Sequence, residues 1–160
     1  MSQGFIQGFV DWLNLTAGPQ VRLARHGMIG APGTVSVAPD GFQMGVAAGG
    51  RITLTPDPAP PPGSFCPSVA HLFRAAAESH GRRAAGVLLT GMGRDGAAEL
   101  KLLRQAGALT LVQDEESCII FGMPGEAVRL GAAAHVAPPA EIVNLLLAHV
   151  ASLKPNGIPA

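Results

Sequence analysis

The chain has 160 residues, 48% of them hydrophobic and only 14% charged, with eleven basic and eleven acidic side chains. That length suits a single domain with a real core, and this composition excludes intrinsic disorder. The cancelling charges leave no footprint for nucleic acid or anionic lipid, and no apolar run approaches the roughly 18–20 residues of a membrane span.

The N-terminus shows no basic segment ahead of an apolar one, so no secretory signal is read there. Cys66 and Cys118 are too few for a disulfide framework and lack metal-ligand spacing. The expectation is a soluble, cytoplasmic globule without cofactor or metal. So apolar and Gly-rich a chain, with 21 glycines, also looks like the interior of something larger.

The first thirteen residues read as a helix beginning near residue 4. Phe5, Phe9 and Trp12 form one stripe, and Ile6, Val10 and Leu13 repeat it alongside. The aromatic stripe is expected to be core or interface, and if exposed it would invite self-association. From Gly18 to Gly63 the pattern changes to short β-like runs at Gln20–Leu23, Thr34–Ala38 and Ile52–Thr55, the last following the Gly49-Gly50 turn. Pro56 to Pro62 reads as an extended connector. Ser68 then serves as N-cap of a helix whose face carries Val69, Leu72, Phe73 and Ala76.

Helix and strand alternate through the second half. Gly86–Thr90 is a short buried strand, Asp95–Ala106 a helix closed by Gly107, and Leu109–Gln113 the next strand. Pro124–Leu130 is a short helix stopped by Gly131, and His135-Val136 a brief strand. The last helix opens at Pro138-Pro139 and carries Ile142, Leu145, Leu146 and His149 on one face. Such units build parallel sheet with right-handed crossovers. The fold class is therefore α/β, a doubly wound, mostly parallel, three-layer sheet with a β-hairpin insertion.

In open α/β sheets ligands bind at the carboxyl ends of the strands. The segment from Gly86 to Gly96 occupies such an end, where Gly91 and Gly93 let the backbone turn tightly. Three readings of Asp95 stay open: N-cap of its own helix, neighbour of a phosphate-cradling turn, or orienting carboxylate of a hydrolytic triad with nearby backbone N–H groups as oxyanion hole. His26, His71, His80, His135 and His149 each read as structural, since no serine or cysteine in a strained turn stands near them. Cys118 reads as a small buried residue.

Two long motifs carry a resemblance. Residues 86–97, GVLLTGMGRDGA, and 113–124, QDEESCIIFGMP, resemble the C-terminal catalytic domain of CheB-type chemotaxis protein-glutamate methylesterases. Gly4-Phe5 with Gly8-Phe9, Val37-Ala38-Pro39, and Pro67-Ser68-Val69 with Leu72-Phe73 resemble further segments of that family in the same order. The resemblance implies a serine hydrolase that demethylates γ-glutamyl methyl esters of chemoreceptors and often deamidates glutamines there. A serine attacks the carbonyl, a histidine relays the proton to methanol, and an aspartate holds the histidine tautomer.

Carried over residue by residue, the resemblance assigns the catalytic aspartate to Asp95 and an oxyanion N–H to Met92. Gly91, Gly93, Phe121, Gly122 and Met123 become site-loop candidates. The implied partners are a methyl-accepting chemoreceptor or related signalling protein, with a receiver domain or a methyltransferase as further candidates. No cofactor, nucleic acid or membrane insertion is implied, and a homo-oligomer is left open.

The family's nucleophilic serine and general-base histidine precede the helix that opens this chain. Met1 aligns with the residue after that histidine, and Ser2 cannot stand in for the nucleophile. Residues 1–153 are thus expected to form an incomplete methylesterase domain lacking its first strand–helix–strand portion, with residues 154–160 as a tail. Without serine and histidine the chain is expected not to hydrolyse esters, and a catalytically silent binding module is the alternative. Four departures bear on the substrate: Asp40-Gly41-Phe42-Gln43 where the family has Gly-Asp and then His, Phe65-Cys66 for His-Arg, Ala70 for Asp, and Arg25-His26-Gly27 for an acidic stretch. These positions are expected to line or support the receptor-facing surface.

Overall fold

A computed structural model describes residues 4–59, 61 and 64–153. The expectations placed on Met1, Ser2 and the 154–160 tail, and part of the Pro-rich connector, lie outside them. The chain begins with α1 (Ile6–Thr16), which buries Ile6 and Val10. Asn14 ties its end to the next strand, β1 (Gln20–Leu23): the side-chain amide donates to Val21 O at 2.7 Å, and Oδ1 accepts from Val21 N at 2.9 Å. β1 pairs in parallel with β2 (Thr34–Val37), from Gln20↔Thr34 to Leu23↔Val37.

The hairpin is formed by β3 (Phe42–Ala47) and β4 (Arg51–Pro56), antiparallel from Phe42↔Pro56 to Ala47↔Arg51. Gly49 and Gly50, both at φ 73°, make its turn. No strand is read at β3 from the sequence: Phe42, Met44 and Val46 alternate with Gln43 and Gly45, but a mid-run glycine weakens the strand signal, and pairing with β4 and packing under a helix make it one. Mutual hydrogen bonds, Gly27 N to Ile52 O and Ile52 N to Met28 O, fasten β4 to the segment after β1.

Helix α2 (Val69–Ser79) lies on β3, where Gly45 has no room for a side chain: a Cβ there would sit 2.8 Å from Thr53 Oγ1 and 3.1 Å from Ala75 Cβ. Three βα units complete the described chain: β5 (Ala85–Leu88), α3 (Ala97–Gln105), β6 (Leu109–Gln113), α4 (Met123–Arg129), β7 (His135–Ala137) and α5 (Pro139–Leu153). β5, β6 and β7 form a parallel sheet in that order.

Its central strand is covered on both faces, which is why Leu-Thr-Leu-Val-Gln shows no polar side. On one face Leu88 and Val112 pack with Phe73, Leu100, Leu103 and Ala127; on the other Leu111 meets Ala137 and Ile142. The one hydroxyl inside, on Thr110, donates to Ala132 O at 2.8 Å and accepts from Ala134 N.

The layered α/β architecture is as read from the sequence, with one difference. Among the described residues the strands divide among three sheets, β1-β2, β3-β4 and β5-β6-β7, rather than joining one. The aromatic stripe of α1 also departs from a core role. Ile6 and Val10 turn inward, while Phe5 is 67% and Trp12 56% exposed, Phe9 stacking on Trp12 with ring centroids 6.1 Å apart.

Candidate active site

The ladder between β5 and β6 ends at Leu88↔Val112, and the loops leaving those two strand ends build the candidate site. Thr90 N donates to the side-chain Oε1 of Gln113 at 2.8 Å, so a side chain takes over where the backbone ladder stops. The Thr90 hydroxyl accepts from Ile120 N at 2.9 Å and lies 3.2 Å from Ile120 O, to which it donates. Gly91 N donates to the same carbonyl at 3.0 Å, and Met123 N donates to Gly91 O at 2.9 Å.

Two loops thereby interlock. A Cβ on Gly91 would lie 2.4 Å from Met123 Cε, and one on Gly122 would lie 2.6 Å from Gly91 O and 3.0 Å from Gly93 N. The structure brings together Gly91, Gly93, Phe121, Gly122 and Met123, the five loop residues singled out in the sequence. Met92 stands at the tip, 80% exposed, and its N–H makes no hydrogen bond among the described residues.

Asp95 is not the cap of the helix next to it in the chain. That place belongs to Gly96, left-handed at φ 79°, and α3 starts at Ala97 rather than at Asp95. The reason is packing between helices: a Cβ at Gly96 would be 2.4 Å from Val69 Cγ1, so only glycine lets α2 and α3 approach this closely. The turn swings the half-buried Asp95 carboxylate onto α2, where Oδ2 accepts from Val69 N at 2.8 Å and Oδ1 from Ala70 N at 3.0 Å.

Ser68 is the expected N-cap of α2 and accepts from His71 N at 3.2 Å. Two side chains together answer three first-turn N–H groups of α2, and the carboxylate sits at the positive end of its dipole. A fixed negative charge beside the glycine turn argues against a phosphate cradle there.

Gln43, one of the departures from the family pattern, supports this corner. Its Oε1 accepts from both Ser68 N and Ser68 Oγ at 3.0 Å; its Nε2 donates to Phe65 O at 2.8 Å and Asp57 Oδ2 at 3.1 Å. Beside it opens a cavity of about 620 Å³ lined by Asp95, Phe65, Ala70, His71 and Arg94, among others. Three of the four departures thus reach the Asp95 side, through Gln43, Phe65 and Ala70. The fourth does not: His26 Nδ1 accepts from Leu54 N at 3.1 Å on the hairpin.

Among the described residues no histidine hydrogen-bonds to Asp95. His71 lines the same cavity; His80 Nδ1 lies 2.7 Å from Ser79 Oγ, and His149 Nε2 is buried without a partner among the described residues. Cys118 is half-buried, with its Sγ 3.9 Å from Gln113 O. Burial, together with the carboxylates of Asp57 and Asp40, pushes the Cys66 thiol above its ordinary range. No group of three or more His, Cys, Asp or Glu residues that could hold a metal ion occurs among the described residues.

The model of one protein family, CheB methylesterase, matches residues 1–146. The chain belongs to that family. A protein-glutamate methylesterase/protein-glutamine glutaminase 1 of Syntrophus aciditrophicus is 48% identical over 155 residues, covering 97% of this chain and 44% of its own. The corresponding protein 4 of Geobacter metallireducens is 52% identical over 146 residues, 91% of this chain and 42% of its own.

The chain therefore spans less than half the length of these CheB relatives. The crystal structure of the Thermotoga maritima CheB methylesterase catalytic domain superposes with a TM-score of 0.80 at 30% identity, covering 91% of this chain and 79% of that one.

Thr90, Gln113, Gln43 and Ser68 organise both halves of the site. In the sequence Ser68 stands out as a helix cap and Gln43 as a departure from the family pattern, while nothing there singles out Thr90 or Gln113 as organisers. A glutamine closing an otherwise buried strand was the available signal, since a buried amide needs partners.

Proposed function

We propose that this chain supplies the aspartate and one oxyanion donor of a CheB-type methylesterase site, acting in the cytoplasm on γ-glutamyl methyl esters of methyl-accepting chemoreceptors. Asp95 holds the general-base histidine in the correct tautomer, and the Met92 N–H receives the carbonyl oxygen as it becomes an oxyanion. The serine that attacks the ester and the histidine that passes its proton to the leaving methanol come from polypeptide outside residues 1–160. The observation that carries the reading is the pairing of an unengaged N–H at Met92 with a fixed carboxylate at Asp95, on two ends of one loop after β5. Each carboxylate oxygen accepts one α2 amide and retains lone-pair capacity for an imidazole N–H.

Methanol release from methylated receptor tests this. The polypeptide that contains this chain together with a serine and histidine should hydrolyse the ester, and Asp95→Asn should remove most of the rate. Hydrolysis unaffected by that change would refute the assignment.

A second reading has its own support: among the described residues both Asp95 oxygens are engaged in a helix cap and neither meets a histidine. The chain is then a silent binding module. Methanol release by the polypeptide that supplies serine and histidine separates the two, because the second reading retains receptor affinity without it.

A further inference from the structure

Gln113 occupies the last position of β6 and is 5% exposed, an expensive place for an amide unless every polar atom is met. Here all are met, and all point at the loops of the candidate site. Oε1 accepts from Thr90 N at 2.8 Å, while Nε2 donates to Ser117 O at 2.9 Å and to Ser117 Oγ at 3.1 Å. One side chain thus joins the first residue of the glycine turn to the start of the loop that leads to Phe121. Thr90 repeats the join one step on, its hydroxyl bonded to Ile120 on both sides of that residue.

The next peptide unit carries the unengaged Met92 N–H. Its position is set by these bonds and by the Gly91↔Phe121 bridge, not by the Met92 side chain, which is exposed. A leucine at 113 would satisfy the core equally well, but would leave Thr90 N and Ser117 O without partners and the two loops joined only at Ile120 and Met123.

We propose that Gln113 is a positioning residue for the Met92 oxyanion donor, acting through Thr90 and Ser117; this rests on the esterase reading above. It does not touch substrate. It fixes where the N–H points, and a misplacement of about 1 Å at such a donor costs about a hundredfold in rate.

The test has one arm that needs no hydrolysis. In the ¹⁵N-labelled chain, Gln113→Leu should raise amide exchange at Thr90 and Gly91 about tenfold, as loss of one hydrogen bond implies, while Leu111 and Val112 stay protected. Gln113→Glu keeps the acceptor for Thr90 N and should restore protection at Thr90. Should Gln113→Leu fail to fold, Thr90→Val against Thr90→Ser examines the same join from its other side, with Ile120 exchange rising only in the valine variant. Unchanged local exchange in these variants, or a rise shared equally by Leu111 and Val112, overturns the proposal.

The second arm measures receptor ester hydrolysis in the polypeptide that also supplies serine and histidine. Gln113→Leu should lower kcat about 10–100-fold with KM unchanged; a higher KM at unchanged kcat overturns the proposal. Absence of hydrolysis in the unsubstituted polypeptide defeats the esterase reading, and the exchange arm still decides whether Gln113 orders the loop.

Discussion

Replacing Asp95 by alanine should destabilise the fold whether or not the chain takes part in catalysis. The carboxylate accepts from Val69 N at 2.8 Å and Ala70 N at 3.0 Å, the first two amides of α2. A hydrogen bond to a charged group contributes about 1.5–3 kcal/mol, and loss of a capping side chain about 0.5–2 kcal/mol. Asp95 is only half-buried, so water will partly replace it, and about 2 kcal/mol is the expected loss. For a chain of this size that corresponds to about 4–8 °C in Tm. Asparagine keeps one acceptor and should lose about half as much.

Urea unfolding measured by circular dichroism compares both variants, provided the slope with denaturant is unchanged. If Asp95→Ala unfolds within about 0.5 kcal/mol of the parent, the usual spread of surface substitutions, the capping argument is wrong. The same result would weaken the case that α2 fixes the carboxylate.

Gly96→Ala combines a left-handed φ of 79° with a Cβ placed 2.4 Å from Val69 Cγ1, and should cost about 2–4 kcal/mol by the same unfolding assay. A neutral result would mean that α2 and α3 can separate freely. The Arg129 guanidinium hydrogen-bonds Glu126 and holds its carboxyl below the ordinary range. The pair therefore contributes above that range and is lost as pH falls through the depressed value. Arg129→Ala should move Glu126 up towards the ordinary carboxylate range in a side-chain NMR titration, with Arg94 still lowering it, and an unmoved curve would refute the pairing. Because Arg129 is exposed and Glu126 only partly buried, overall stability should barely change. Cys66, its thiol raised by burial and by Asp57 and Asp40, should alkylate more slowly than a free thiol at pH 8, and Asp57→Asn should speed it. Reaction at the free-thiol rate in the parent would contradict the raised value.

The sequence by itself determined the elements of the second half and the loops that matter. β6 falls at Leu109–Gln113 as read, α4 and α5 within a residue of their expected starts, and the N-cap at Ser68 is in place. Those features are set locally, by apolar periodicity, capping side chains and glycine at helix ends, and the two long motifs likewise carried the family. Only the tertiary structure decided the job of Asp95. Its residue type allows a cap on its own helix, and the sequence could not show that Val69 crowds position 96, forces glycine there and turns the carboxylate onto α2. The same holds for β3, which becomes a strand only against β4 and α2, and for the α1 aromatics, whose stripe could be told from that of Ile6 and Val10 only once β1 lay beneath one of them. Gln113 is the sharpest instance. One buried amide reads as an isolated polar residue until the fold brings Thr90, distant along the chain, and Ser117, near it, within hydrogen-bonding reach.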